Sequence, residues 1–133
     1  MTFPAGIGPH NGRELELMLS GRKPLAIFSA EPGMAPEHVG DSGFARHVER
    51  GEILFFSWVE PHFGIEWRAY CLPTEEWRAK LCLLLWKMDS DGTRRDVFTP
   101  ADLSRLHGTL LGYSKEDIEL FIARLAERDL PAT

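Results

Sequence analysis

The segments "ILFFSWVE" (53–60), "PHFG" (61–64) and "IEWRAYCL" (65–72) together decide the fold. The outer two are rich in aromatic and β-branched residues, and the four residues between them break regular structure, which reads as a β-hairpin. A turn centred between His62 and Phe63 sets residue 60 opposite 65, 58 opposite 67 and 56 opposite 69. Side chains alternate across a strand. One face therefore carries Leu54, Phe56, Trp58, Ile65, Trp67, Ala69 and Cys71, and is expected to be core. The other carries Ile53, Phe55, Ser57 and Val59 against Glu66, Arg68 and Tyr70. That second face is unusually apolar for a sheet surface in water. It requires a cover: a helix, a second subunit or a ligand.

Working outward, "PLAIFSA" (24–30) is apolar on both faces and predicts an interior strand. "EPGMAPEHVGDSG" (31–43) holds three glycines and two prolines and is expected to be a loop, of a length uncommon unless functional or mobile. A short helix, "FARHVERG", follows. Near the N-terminus, Asn11 with Glu14 forms a capping-box pattern for a first helix. Leu15, Met18 and Leu19 make its apolar stripe, and Gly21 ends it. Beyond the hairpin, Thr74 is placed to cap a helix over 74–88, with Trp77, Leu81, Leu84, Leu85 and Met88 at helical spacing. "DSDGTRRD" (89–96) reads as a polar loop. The last two helices begin at "TPAD" and "SKED", each with a hydroxyl cap and an Asp three residues on. The order α-β-α-β-β-α-α-α predicts a single α+β domain over 1–133. Its sheet is small and mainly antiparallel, one central hairpin plus a further strand, with helices packed on it and a C-terminal helical hairpin.

The 133 residues, 44% hydrophobic and 26% charged, suffice to bury a core without a disulfide or a metal. Cys71 and Cys82 both sit in apolar surroundings and read as small core residues. The longest apolar run, "LCLLLW" (81–86), is far short of a membrane span, and no signal peptide is legible. The expectation is a cytoplasmic protein without membrane contact.

"LHGTLLGYSKEDIELFI" (106–122) has the spacing of a helix-turn-helix. The first turn of its second helix carries Lys115 against Glu116 and Asp117, with Glu119 following. Those carboxylates repel phosphates, and the net charge of −5 adds to the repulsion, so nucleic acid is not the expected partner. The same residues suit an αα-hairpin, in which Gly108 permits close packing and Gly112 ends a helix.

No nucleophile elbow, zinc-protease helix, P-loop or dinucleotide turn is present. No two of the five histidines stand at the i,i+4 spacing of a zinc helix, so neither metal nor cofactor is expected, and no catalytic residue is assigned. The candidate contact residues are Phe55, Ser57, Glu66, Arg68 and Tyr70 on the second hairpin face, with His47 and His62 near it. Two readings follow. In the first, the protein is non-catalytic and works through that face, by homodimer formation or a protein partner. In the second, a pocket between the 31–43 loop and the hairpin binds a small ligand or substrate. Arg68 then clamps an anion and a histidine moves a proton.

Overall fold

The computed structural model describes residues 13–128. The hairpin grows into a three-stranded antiparallel sheet because its second arm pairs on both sides. The strands are β1 (Leu25–Ala30), β2 (Leu54–Val59) and β3 (Glu66–Cys71), in the order β1-β3-β2. The hairpin register is the one that the turn position predicts, with Trp58 opposite Trp67 and Phe56 opposite Ala69. The helices are α1 (Glu14–Leu19), α2 (Ala45–Glu49), α3 (Glu76–Asp91), α4 (Arg94–Val97), α5 (Pro100–Leu110) and α6 (Lys115–Arg128). The α+β architecture and the C-terminal helical pair are as expected. No helix among the described residues is long and apolar enough to cross a membrane.

The first hairpin face is core. Leu25, Ala69 and Cys71 of the sheet are buried against Ala79, Cys82 and Leu85 of α3 and Leu110 of α5. Ala79 and Cys82 are short, which lets the helix axis come close to the sheet. α3 buries only part of the predicted stripe: Leu85 is buried and Leu81 and Met88 are half-buried. Trp77 and Leu84 are about half exposed, and Ala79 and Cys82 take their place beside Leu85. Thr74 is not its cap either. A 3-10 turn, Pro73–Glu75, leads into α3, whose N-cap residue Glu75 makes no side-chain capping bond. The helix also runs on to Asp91, and α4 occupies part of the segment expected to be loop.

The second face is covered over half its width. Met18 of α1, Ala26 of β1, Phe44, Ile53 and Tyr70 of β3 form a separate buried cluster. β1 is thus an edge strand, not an interior one. Its two apolar faces reflect cover above and below: Leu25 and Ile27 join the α3 cluster, Ala26 and Phe28 the other. At α1, Asn11 lies outside the described residues. The helix starts after Arg13 without a side-chain cap bond. Leu19 is exposed rather than part of the buried stripe.

The helical hairpin is built by its caps. Thr99 and Asp102 form a complete capping box on α5. Asp117 N–H donates to Ser114 Oγ at 3.1 Å at the start of α6. Between them Gly112 takes φ 89° beside Pro24, a conformation that side chains with Cβ avoid. Arg78 of α3 donates to the carbonyls of Thr109 and Leu110, so it satisfies the open C-terminal end of α5 and ties it to the sheet helix.

Candidate functional site

Tyr70 and Arg68 sit two apart on β3, so both project onto the second face. They meet one carboxylate there. Asp41, from the 31–43 loop, is buried, and its Oδ2 accepts from Arg68 Nη1 at 2.8 Å and from the Tyr70 hydroxyl at 2.6 Å. Arg68 Nε donates to Glu66 Oε1 at 2.6 Å. Burial raises the Tyr70 phenol well above its ordinary value, and the Asp41 hydrogen bond and charge raise it further. Burial pulls Arg68 down, but the hydrogen bonds and charges of Asp41 and Glu66 outweigh it and leave it raised. The network therefore holds a phenol and a guanidinium firmly protonated. Rings close over it: Phe44 lies 4.4 Å, Phe55 4.9 Å and Phe28 5.8 Å from the Tyr70 ring, centroid to centroid.

This arrangement fastens the long loop to the sheet. Asp41 is the residue that sequence reasoning did not single out. Its only signal was its place in "GDSG", at the end of a loop next to the short helix. The hollow beside that loop, about 460 Å³, is walled by α1, β1 and the loop itself, among them Glu14, Phe28, Met34 and His38. None of the strand residues of β2 or β3 belongs to its walls.

The two histidines are not brought together. His47 lies on α2, buried, with Nδ1 3.4 Å from Glu52 Oε1 and Nε2 buried without a hydrogen-bond partner among the described residues. His62 is exposed at the hairpin turn, where its N–H donates to Glu60 Oε1 at 2.6 Å, and its side chain lines a cavity on the opposite face of the sheet. Among the described residues no group of three or more His, Cys, Asp or Glu is placed to hold a metal ion. Both cysteines are free and buried, and burial pushes their thiols up, Cys71 to about 11 and Cys82 to about 12. Neither is a nucleophile near neutral pH.

What stays open on the second face is β2. Phe55 is 41% exposed and Val59 55%, with Ser57 exposed between them. The same three residues line an edge with which no strand among the described residues pairs. Glu60 N–H donates to Ile65 O at 2.8 Å, which fixes 60 and 65 as a hydrogen-bonded pair. Such pairs recur at every second residue of an antiparallel ladder. Residues 54, 56 and 58 therefore spend their main-chain groups on β3, and the N–H and C=O of Phe55, Ser57 and Val59 point outward. Natural edges are commonly blunted by charge, proline or a bulge. β2, "LFFSWV", has no charged residue and no proline.

At the helical hairpin, Arg105 is held by Glu119, through Nε at 2.8 Å and Nη2 at 3.0 Å. Arg94 is paired with Asp89 at 3.1 Å. Arg105 and Arg94 thus already serve carboxylates.

No protein-family model matches this chain, and neither the curated proteins nor the solved structures contain a match to it.

Proposed function

We propose that this protein is a non-catalytic contact protein, and that its working contact is a homodimer formed by adding β2 of one copy to β2 of another. The observation that carries the reading is the unblocked edge, in which outward-facing main-chain groups and exposed apolar side chains belong to the same three residues. The strand is complementary to itself. A two-fold axis at Ser57 sets Phe55 of one copy opposite Val59 of the other, with the small serine at the centre. The pairing forms about six main-chain hydrogen bonds and extends each sheet into its neighbour. Phe55 and Val59 then lose their water on the face that the loop and α2 leave open. Tyr70 contributes from the neighbouring strand, by packing its tilted ring against Phe55, and is not itself a contact residue because it is buried.

The test is sedimentation velocity over a dilution series, on the wild type and on Val59→Lys. Val59 is more than half exposed, so lysine there is tolerated by the monomer, but it places two charges into the paired edge. The wild type is expected to sediment as a dimer and the variant as a monomer with an unchanged far-ultraviolet circular dichroism spectrum. A monomeric wild type, or a dimer that Val59→Lys leaves intact, refutes the proposal.

A further inference from the structure

The cavity that receives His62 lies under the other face of the sheet, at its hairpin end, between β1 and β3 and the helices α3 to α5. Its volume is about 630 Å³, within the usual range for small-molecule sites. Two of its walls are indoles. Trp67 of β3 and Trp86 of α3 stack at 5.5 Å between ring centroids, 27° from parallel. Phe63 and Ile65 of the hairpin add to the apolar lining.

Its polar groups are few and unevenly satisfied. Glu60 is fully engaged, by the N–H groups of His62 and Phe63 and by the Ser90 hydroxyl. Arg94 gives Nη2 to Asp89, but its Nε is buried and has no hydrogen-bond partner among the described residues. That nitrogen is sealed off by its neighbours, so it offers no donor to a molecule in the cavity. His107 also lines the cavity. Burial lowers its pKa, the Arg94 charge lowers it further, and Asp89 opposes them without prevailing, so the ring stays neutral and offers a nitrogen lone pair. The charges of Asp89 and Glu60 exceed that of Arg94 by one, which disfavours an anionic guest.

We propose that this cavity binds a neutral, planar heteroaromatic molecule of one or two fused rings, laid against the Trp67–Trp86 stack, with a ring N–H donating to neutral His107. A lactam-bearing bicycle is such a molecule. The site is on the opposite face from the β2 edge, so it stands or falls independently of dimer formation.

The experiment titrates uniformly ¹⁵N-labelled protein with quinazolin-4-one, a neutral bicyclic lactam, and separately with 2-naphthoate, an anion of similar size without the lactam. Quinazolin-4-one is expected to shift the indole N–H signals of Trp67 and Trp86 and the amides of Ile27 and Arg94, leaving Phe55 and Val59 unmoved. Naphthoate is expected to bind at least tenfold more weakly. His107→Leu is expected to cost at least tenfold in quinazolin-4-one affinity, and His107→Gln, which keeps an acceptor oxygen, much less. Absence of shifts at the two indoles, shifts mapping elsewhere, or naphthoate binding as tightly as the lactam overturns the proposal. The wild-type titrations decide the matter even if His107→Leu fails to fold.

Discussion

Replacing Asp41 by alanine should destabilise the protein more than either of its partners' replacements, and the geometry says by how much. The carboxylate is buried and serves two donors through one oxygen. Its removal leaves the Tyr70 hydroxyl buried without an acceptor, which costs about 1–3 kcal/mol. It also breaks the ion pair with Arg68. A fully buried pair would cost about 3–5 kcal/mol to break, but the Arg68 side chain is 26% exposed and keeps Glu66, so about 1 kcal/mol is the appropriate share. The total is about 3 kcal/mol. For a chain of this size that lowers the melting temperature by roughly 10 °C. Tyr70→Phe removes one hydrogen bond but orphans nothing, because Asp41 Oδ2 still accepts from Arg68, so about 1 kcal/mol is expected. Arg68→Ala falls between them, since Asp41 is then left with the phenol alone. The assay is urea unfolding followed by tryptophan fluorescence, with the slope checked for constancy across variants. If Asp41→Ala loses no more than Tyr70→Phe, Asp41 is not the hub of this face. If Arg68→Ala is as stable as the wild type, Arg68 is free for another role, such as the anion clamp that its place on the hairpin first suggested.

Three further outcomes follow. A Cβ on Gly108 would stand 2.6 Å from Ile118 Cγ1. Gly108→Ala should therefore lose about 1–2 kcal/mol net of the gain in helix propensity, yet become stabilising in an Ile118→Ala background. His107 has a folded-state pKa below its ordinary 6.5. As pH falls through 6.5 the unfolded chain takes up a proton that the folded one refuses, so stability drops on the acid side and does not change above. The drop between pH 7 and about pH 5.5 in urea midpoint should be smaller in His107→Gln, and equal drops would contradict the assignment. Finally, Cys71 and Cys82, with thiols pushed up to about 11 and about 12, should resist a disulfide reagent at mildly alkaline pH until denaturant is added.

The elements that local rules control were legible in the chain. The hairpin and its register follow from strand composition and turn position, and the α5 and α6 starts follow from Thr99 and Ser114. Each of these depends on residues a few positions apart, and that information is in the sequence itself. The elements that were misjudged depend on distant partners. "PLAIFSA" has the composition of a buried strand whether its neighbours are strands or layers above and below. Only the tertiary structure makes it an edge. α3 carries apolar residues on nearly every side, so its periodicity does not choose a face. The choice is made by Ala79 and Cys82, which allow the closest approach to β3. The second hairpin face was recognised from its mixed composition, but the partner of its Arg68 and Tyr70 is Asp41, 27 residues from Arg68 in sequence. No local pattern links a loop carboxylate to a strand that far away. The same holds for the Trp67–Trp86 cavity, whose walls come from β1, the hairpin and three helices. Composition and short-range spacing settled which segments fold into strands and helices. Which side chains they bring together was settled by packing, because burial and pairing are properties of the whole chain.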